Sequence, residues 1–463
     1  MSEESRSNVS PPAGAPRSWL RSGRPVPRRL VRPLERFLAL ESGSASLLLL
    51  AAVLALLWSN VAGESYKALW ATKLELRAGP LVLKEDLRHL VNDLLMAIFF
   101  YVVALEVKRE LLFGSLREPR SAAVPVAAAL GTMVGAASTY LAVNLLGGGN
   151  LHGWAVPIAT DIAFALGVLG LLGKRVPSEL RAFLLTLAVV DDLGTIAVIA
   201  LFYSKGLSLA WLAAAGGLVV AVFVFQRLGV RLLVAYVALA GFLWLAVFES
   251  GVHATIAGVV LGFLTPAVAF YPREETGKAI GDQLGRITDD SDRDLSEEAM
   301  IETGRLAREA ASPLTRMEES LHPWSAYLIL PVFALANAGV PLSFESLRAA
   351  FGGPEGLGII IGLVVGAPLG GFLLAWLLAR ASRARLAEGL DWPAIAGVAP
   401  LKGIGFTVAI FISELAFSEQ ALRDHAKLAI LMASVAAALF GLLILFLRSR
   451  ATGSPESADE ASP

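Results

Sequence analysis

Long apolar stretches, separated by short polar segments, run through most of this 463-residue chain. A run of about 17 to 25 apolar residues is long enough to cross a bilayer as an α-helix. The pattern therefore predicts an all-α integral membrane protein with about twelve transmembrane helices. These predicted helices cover residues 43–60, 90–105, 122–146, 154–172, 182–203, 209–225, 232–248, 252–270, 324–340, 356–378, 394–417 and 426–447.

The amino-acid composition agrees with a membrane protein. Hydrophobic residues make up 56% of the chain and charged residues 17%, and the mean hydropathy is +0.64. The hydrophobic share lies above that of soluble domains and the charged share lies below it. The formal net charge is −1 and cysteine is absent. Catalytic cysteine and thiolate metal sites are therefore excluded, and nothing indicates nucleic-acid binding.

The polar segments outside the helices define the expected domain organisation. Residues 1–36, rich in Arg and Pro, are expected to form a disordered cytoplasmic tail, and residues 448–463 a polar cytoplasmic tail. The helices then form one membrane domain, residues 37–447. A charged cytoplasmic loop, residues 271–322, is inserted between its eighth and ninth helices; we interpret it as a solvated linker, with a regulatory or partner-binding role as the alternative. Lys and Arg collect in alternate loops, which indicates that both termini are cytoplasmic.

A short β-hairpin is predicted from Leu74 to Lys84, between the first and second helices. Two short apolar segments there flank Ala78, Gly79 and Pro80, which are residues typical of a turn. Such a hairpin could pair with another copy of the chain, giving a homodimer. The alternative is a loop without this role.

Two adjacent aspartates, Asp191 and Asp192, lie in the middle of an otherwise apolar predicted helix. An ionisable side chain at the bilayer centre costs about 2.5 to 3.5 kcal/mol on insertion scales, so it usually faces a polar cavity or an ion path. From Arg181 at the inner boundary to Asp191 the helical rise gives about 15 Å, which is half of a hydrocarbon core about 30 Å thick. The pair is therefore expected at the midplane of the membrane.

Two of the predicted helices, the fourth and the eleventh, contain residues that interrupt a helix. In the fourth, Pro157 precedes Asp161. In the eleventh, Lys402 lies between Pro400 on one side and Gly403 and Gly405 on the other. Each interrupted helix is the middle member of a three-helix set, and the two sets have opposite topology. This pattern predicts inverted-topology repeats whose interrupted helices cross at the midplane, with Asp161 suited to their N-terminal ends and Lys402 to their C-terminal ends.

Several sequence motifs stand at these polar positions and along the rest of the chain. They are residues 105–111 (LEVKREL), 159–167 (ATDIAFALG), 191–194 (DDLG), 250–255 (SGVHAT), 321–324 (LHPW), 336–340 (ANAGV) and 403–407 (GIGFT). Together and in this order they resemble the NhaA family of Na+/H+ antiporters over nearly the whole chain. Inverted repeats are a known property of that family, so the resemblance and the topology argument are not independent.

The resemblance implies a secondary active transporter rather than an enzyme. Such a protein exchanges Na+ or Li+ for H+ by alternating access, extrudes Na+ and imports H+ across the bacterial inner membrane, and so controls intracellular pH and sodium. By motif, Asp192 resembles the principal cation ligand and Asp191 its neighbour in proton coupling, while Thr160 and Asp161 line the same site. No cofactor is implied, because Na+, Li+ and H+ are substrates that compete for the midplane carboxylates.

Four further residues resemble the family's pH-responsive positions. They are Glu106, Glu110, Glu318 and His253. For Glu106 and Glu110 the alternative is an ion-pair cluster with the neighbouring Lys108 and Arg109 that anchors a helix end. For His253 the alternative is a hydrogen-bonded histidine with a packing role.

One position departs from the family pattern. The family usually has a lysine in its tenth helix, within Gly-Lys-Pro-Leu-Gly, whereas Ala367 occupies that position here. Lys402 stands in the eleventh helix at a similar predicted depth, about 16 Å from the membrane edge. We therefore hypothesise that Lys402 replaces the missing lysine as the charge partner of Asp191; the alternative is that it fills another polar position. The change leaves the H+/Na+ stoichiometry open.

Three other classes of protein could carry aspartates in a membrane. A cation channel would show passive conductance instead of proton-coupled counterflow, and a sodium-coupled symporter would need a larger pocket for an organic solute. An intramembrane aspartyl protease needs two aspartates that face each other from different helices. Neighbours on one helix point about 100° apart, so only Asp161 with Asp192 could meet that requirement.

Overall fold

The computed structural model of the protein describes residues 41–451, except 79–80, 174–175, 205, 231, 270–271, 289–292, 383–385 and 387–389. The predicted tail at residues 1–36 and nearly all of the tail at 448–463 lie outside the described residues. The described chain is helical apart from one hairpin and the connecting segments. This agrees with the predicted all-α class.

The helices and strands follow one another with short connections. The first elements are α1 (Glu41–Val61), α2 (Gly63–Trp70), β1 (Lys73–Ala78), β2 (Leu81–Asp86), α3 (Leu87–Phe113), α4 (Pro119–Gly147), a 3-10 helix (Leu151–Ile158), α5 (Ile162–Gly170), α6 (Ser178–Phe202), α7 (Leu209–Arg227) and α8 (Leu233–Glu249). The later elements are α9 (Thr255–Leu264), α10 (Arg273–Thr288), α11 (Arg293–Glu309), α12 (Pro313–Trp324), α13 (Leu330–Asn337), α14 (Phe344–Gly352), α15 (Pro354–Ala381), α16 (Trp392–Val398), a 3-10 helix (Ala399–Gly403), α17 (Phe406–Ala416) and α18 (Gln420–Ala451).

Helix length and composition identify a multi-pass membrane protein. Within the described residues, 8 helices are long and apolar enough to cross a bilayer, or 9 if α16 and α17, which meet at a bend of 45°, form one span. Helices α8, α9 and α13 lie in three further predicted spans but are shorter. By helix length and composition, the described residues therefore contain fewer membrane spans than the roughly twelve predicted from the sequence.

Helices α4 and α15 pack so closely that their backbones touch. A Cβ atom added to Gly131 would lie 2.2 Å from the carbonyl oxygen of Gly370, and one added to Gly370 would lie 2.2 Å from that of Gly131. Gly135 and Gly366 face each other in the same reciprocal way, at 2.3 and 2.7 Å. Small residues allow such contacts between membrane helices, where dispersion attraction replaces the hydrophobic effect. The contact joins the two predicted three-helix sets in antiparallel fashion.

The predicted hairpin is confirmed. Strands β1 and β2 pair antiparallel, from Lys73 opposite Asp86 to Ala78 opposite Leu81. The turn residues 79–80 lie outside the described residues. The pairing of this hairpin with another copy remains a prediction.

The charged segment at residues 271–322 contains α10, α11 and most of α12. Ser312 caps α12, because its hydroxyl accepts a hydrogen bond of 3.2 Å from the backbone N–H of Thr315. The backbone N–H of Leu314 donates to the carbonyl of Pro266 at 3.0 Å. The start of α12 is thus fixed to the end of the apolar segment that contains α9.

The glycine contact between α4 and α15 generates a stability prediction. We expect Gly370→Ala to lower the free energy of unfolding by about 1–3 kcal/mol, because the new methyl group overlaps backbone that cannot move aside easily. Gly216→Ala in α7 is the matched control, since nothing lies within 4 Å of its added Cβ. The measurement is the apparent melting temperature in detergent; equal shifts for the two variants would contradict the close contact.

Candidate functional site

A buried lysine, threonine and aspartate from three different elements form the centre of the site. Lys402 forms an ion pair with Asp191, and its Nζ also donates a hydrogen bond of 2.8 Å to Oγ1 of Thr160. The Thr160 hydroxyl donates in turn to Oδ2 of Asp191 at 3.2 Å. The exposed fractions of these residues are 4%, 0% and 3% for Lys402, Asp191 and Thr160. Bulk water therefore does not screen the pair.

Two breaks in helical structure bring Thr160 and Lys402 together. The first follows the 3-10 helix that ends at Ile158, where Ala159 and Asp161 adopt extended backbone conformations. The second follows the 3-10 helix that contains Lys402, where Ile404 is extended. The backbone N–H of Asp161 donates to the carbonyl of Ile404 at 2.7 Å. Each break thus satisfies a polar backbone group of the other, as the apolar surroundings require.

Asp161 holds the N-terminal ends of two helices. Its Oδ1 accepts a hydrogen bond of 3.0 Å from the backbone N–H of Phe164 in α5. Its Oδ2 accepts one of 3.2 Å from the backbone N–H of Thr407 in α17 and another from the Thr407 hydroxyl. A carboxylate suits this position because helix N-termini carry partial positive charge. Both oxygens of Asp161 are therefore engaged within the protein.

Thr407 belongs to the site and was missed as a site residue by sequence reasoning. It is fully buried and lies in the first turn of α17, directly after the second break. A signal was present, because a threonine that follows two glycines and opens an apolar helix is placed to act on a nearby carboxylate. Its partner Asp161 lies 246 positions away along the chain, and that contact could not be read from spacing.

The surroundings of Asp192 differ from those of its neighbour Asp191. Within the described residues its carboxylate makes neither a hydrogen bond nor an ion pair, and the residue is only partly buried. The charges that act on it are those of Glu106, Asp191, Asp161 and Lys402. Oδ2 of Asp191 contacts Lys402 and Thr160. Its Oδ1 has no hydrogen-bond partner within the described residues. The carboxylate best able to accept a cation is thus that of Asp192.

Among the described residues no group of three or more His, Asp and Glu side chains is arranged to hold a metal ion. Asp191 and Asp192 alone were predicted as ligands of Na+, and Na+ is a transported substrate in that prediction.

Glu318 and Glu106 lie in a cluster of charges beside α3. Glu318 forms an ion pair of 2.6 Å with Arg109, and Oε1 of Glu106 lies 3.8 Å from Nε2 of His322. Burial raises the pKa of Glu318 above its ordinary value of 4.5, and the charge of Arg109 offsets part of that rise. Burial and the charge of Arg109 both lower the pKa of His322. Glu106 also acts electrostatically on Asp192, so this cluster reaches the aspartate pair.

The alternative for Glu106 and Glu110, an ion-pair cluster with the neighbouring Lys108 and Arg109, does not occur as ion pairs among the described residues. Lys108 donates to the carbonyls of Phe263 and Thr265 at 2.7 and 2.6 Å, at the end of α9. A positive charge is stabilising at this position, because a helix C-terminus carries partial negative charge. Arg109 pairs with α12 instead, as described above.

Glu110 has a local role in the turn that follows α3. Its Oε1 accepts hydrogen bonds from the backbone N–H of Ser115 at 2.6 Å and from the Ser115 hydroxyl at 2.5 Å. The Ser115 hydroxyl also lies 2.6 Å from that of Thr186 in α6. Glu110 is thus linked to the helix of the aspartate pair through one serine.

His253 lies apart from the other predicted pH-responsive residues. Its Nδ1 is 3.9 Å from Oδ1 of Asp93, and its ring is 5.2 Å from that of Phe411 in α17. Its Nε2 is buried and has no hydrogen-bond partner within the described residues. Both interpretations of this histidine, sensor and packing residue, are compatible with these contacts.

The chain is similar to known proteins over nearly its whole length. Residues 35–445 match the family model described as Na+/H+ antiporter 1. A protein of Myxococcus xanthus named Na(+)/H(+) antiporter NhaA 2 is 45% identical over 466 aligned positions, covering 98% of each chain. Proteins named Na(+)/H(+) antiporter NhaA from Rhodopirellula baltica and Oleidesulfovibrio alaskensis are 43% and 44% identical, covering 90% and 93% of this chain and 94% and 97% of their own.

Antiporters are transporters and not enzymes, so these matches exclude the intramembrane protease among the alternatives. The match covers both halves of the fold and every motif on which the resemblance was based. The chain is therefore a multi-pass membrane protein that belongs to the NhaA family of Na+/H+ antiporters.

Proposed function

We propose that this protein exchanges Na+ or Li+ for H+ across the bacterial inner membrane, extruding Na+ and importing H+. The observation that carries the proposal is the contrast between two adjacent carboxylates. Asp191 is held by Lys402 and Thr160, while Asp192 has no protein partner within the described residues. An unpaired carboxylate between apolar helices requires a positive charge, and either a proton or a monovalent cation supplies it.

Competition between these two ions is the proposed basis of exchange. Na+ prefers oxygen ligands, and within the described residues no other group engages the carboxylate of Asp192; we place Thr160 and Asp161 at the same site. A proton on the same carboxylate removes the charge that binds the cation, so one ion excludes the other. Alternating access of this site to the two faces of the membrane then converts a gradient of one ion into movement of the other. No cofactor takes part in this mechanism.

We further propose the full NhaA architecture of about twelve transmembrane helices in inverted repeats. The reciprocal glycine contacts between α4 and α15 support it, because a twofold relation between two three-helix sets generates such pairs. The bond between the breaks at Asp161 and Ile404 supports a crossing of two interrupted helices at the midplane. Excess Lys and Arg in alternate loops supports cytoplasmic termini.

The proposed role of Lys402 is that of the lysine missing from position 367. Lys402 carries the charge that compensates Asp191. Ala367 is fully buried, and its neighbour Pro368 lines the same small cavity as Lys402. The two positions are thus close in space, although they lie on different helices. A lysine on either helix can serve the same carboxylate.

Regulation by pH is proposed for the cluster around Glu318, with Glu106 as its link to Asp192. Protonation of Glu318 removes the negative charge that holds Arg109 and therefore loosens α12 from α3. Glu110 and His253 are proposed as secondary members, because each contacts an element of the site. For the hairpin from Leu74 to Lys84 we propose a contact between two copies, since edge strands offer unpaired backbone groups to a partner.

The site assignment predicts the effect of Asp192→Asn. In inverted vesicles with a preset pH gradient, we expect Na+ and Li+ to collapse the gradient in the wild type and K+ to have no effect. Asp192→Asn should lower the Na+ response more than about tenfold, because the neutral amide binds neither ion by charge. Asp424→Asn is the matched control, since Asp424 accepts a hydrogen bond from Gln420 near the start of α18 and lies outside the site. An unchanged Asp192→Asn protein would defeat the assignment, and passive K+ conductance in the wild type would indicate a channel.

The buried ion pair predicts a double-mutant cycle. Lys402→Ala should lower stability by about 3–5 kcal/mol, because it leaves Asp191 buried without its cation. Adding Asp191→Asn should recover most of that loss, since the uncompensated charge is then absent. Melting temperatures in detergent and exchange rates in vesicles are measured together. Additive losses, or a Lys402→Ala protein with normal folding and exchange, would contradict the proposed role of Lys402.

The raised pKa of Glu318 predicts a change in pH dependence. Because burial raises this pKa, Glu318 takes up a proton at milder acidity than an exposed glutamate, and exchange in the wild type should fall as pH falls through that range. Glu318→Gln resembles the protonated form at every pH, so its activity profile should be flatter and lower at high pH. Glu302→Gln, at an exposed position of α11, should keep the wild-type profile. Parallel profiles for all three proteins would exclude Glu318 as a sensor.

A further inference from the structure

A second buried ion pair joins α17 to α18, at the end of α17 that is remote from the site. Lys427 in α18 pairs with Oε1 of Glu414 in α17, and Nη1 of Arg423 lies 3.3 Å from Oε2 of the same carboxylate. The exposed fractions of the Lys427 and Glu414 side chains are 2% and 10%. Glu414 lies about 10 Å along the helix from Thr407. Within the described residues, no aspartate of the site contacts this pair.

A buried ion pair is weak evidence for stability. The cost of removing two charges from water is similar to the energy of their attraction, and apolar residues of similar volume often give equal or greater stability. The best-attested role of such a polar contact in an apolar interface is to fix the register of two helices. The pair of Glu414 and Lys427 is thus suited to specify one arrangement of α17 against α18.

The buried face of α18 carries little register information of its own. Four alanines along it are at most 1% exposed, namely Ala426, Ala429, Ala433 and Ala437. They recur every three or four residues and therefore form one stripe. Ala437 lies against the second helix break, since a Cβ atom added to Gly403 would be 3.0 Å from its Cβ. Small side chains allow helices to approach closely, but a smooth stripe does not distinguish one axial position from the next.

Two polar contacts fix α17 along α18, one near each end of α17. Near its start, the backbone N–H of Phe406 donates to Oγ of Ser434 at 3.2 Å, and near its end Glu414 meets Lys427 as described. The helical rise from Phe406 to Glu414 is about 12 Å. The rise from Lys427 to Ser434, in the opposite direction, is about 10.5 Å. Both contacts therefore form together in one register, and a slip of one turn, about 5.4 Å, breaks both.

The register of α17 determines where Thr407 lies. Thr407 directly follows Phe406, and its backbone N–H and hydroxyl both donate to Oδ2 of Asp161. The bond from the N–H is already 3.2 Å long, and a donor–acceptor distance of about 3.6 Å no longer counts as a hydrogen bond. A small displacement of α17 along its axis therefore weakens the hold on Asp161.

We propose that Glu414 and Lys427 are positioning residues for the exchange reaction, because their ion pair sets the register of α17 along α18 and so holds Thr407 against Asp161. The inference rests on the proposed function, in which Asp161 lines the cation site. It adds two residues near the outer end of α17, in the proposed orientation, to those that determine the affinity for Na+.

The double variant Glu414→Leu/Lys427→Met tests the inference, since it removes both charges and leaves neither one buried alone. Its melting temperature in detergent should equal or exceed that of the wild type. Its half-saturating Na+ concentration should rise about three- to tenfold, as expected for the weakening of about one hydrogen bond, while the maximal rate changes less than about twofold. A pair that only stabilises the fold would shift the melting temperature and leave the half-saturation unchanged.

Ser413→Ala is the matched control. Ser413 is fully buried beside Glu414, but its hydroxyl donates to the carbonyl of Ile410 in its own helix, at 2.7 Å. Removal of this hydroxyl should leave the half-saturating Na+ concentration as in the wild type. The double variant Glu414→Gln/Lys427→Gln keeps a hydrogen bond between two uncharged amides. It should recover the wild-type half-saturation.

A mutant cycle with Thr407→Val tests whether the pair acts through Thr407. In that background the Leu/Met double change should raise the half-saturation less than about twofold further, because residues that act through one contact are not additive. The hydroxyl bond, the shorter of the two that the register positions, is then already absent. A rise that persists undiminished in the Thr407→Val background would overturn the inference.

Binding of radioactive Na+ in detergent and Na+-induced collapse of a pH gradient in proteoliposomes are the two measurements. A Leu/Met double variant with wild-type half-saturation in both would also overturn the inference, while the proposed function would stand. A wild type that shows neither Na+ binding nor Na+-dependent proton flux would instead defeat the proposed function.

Discussion

The whole centre of this protein depends on the ion pair between Lys402 and Asp191. Both groups are buried, and an isolated charge in apolar surroundings is strongly unfavourable, so each requires the other. The pair also requires Thr160, which accepts from Lys402 and donates to Asp191. These residues belong to three separate elements. The geometry of the pair therefore fixes where α6 and both interrupted segments lie relative to one another.

The same constraint explains why the helix breaks are stable. In a bilayer every backbone polar group must find a partner inside the protein. Asp161 meets this need for two helices at once, through Phe164 and Thr407, and its own N–H bonds to Ile404. The glycine contacts between α4 and α15 hold the two halves close enough for these bonds. The close packing of α4 against α15 and the hydrogen bonds of the helix breaks thus depend on each other.

The two adjacent aspartates consequently differ in chemistry. Asp191 is committed to the ion pair, whereas Asp192 is only partly buried and lies within the electrostatic influence of Glu106. In the proposed mechanism Asp192 is therefore the carboxylate for which Na+ and H+ compete, while Asp191 compensates the charge of Lys402. Neighbouring residues on one helix point about 100° apart, so they can face different cavities.

The sequence by itself determined the class of protein, and the comparisons confirmed its family. Apolar runs indicated a multi-pass membrane protein, and turn residues at positions 78–80 predicted the hairpin, because both signals are local. Local signals also indicated which segments interrupt a helix, since Pro157 and Pro400 remove backbone donors at known positions. The helical rise alone gave the expected depth of Asp191.

Only the tertiary structure decided the partners of the charged residues. Arg109 pairs with Glu318 and Lys108 bonds to the end of α9, although their neighbours in sequence suggested a local cluster. Thr407 reaches Asp161 across 246 positions, and Lys402 reaches Thr160 across 242. Sequence spacing specifies contacts within one helix or hairpin, where covalent geometry fixes the distances. Contacts between distant segments depend on how whole helices pack, and that is determined by the fold.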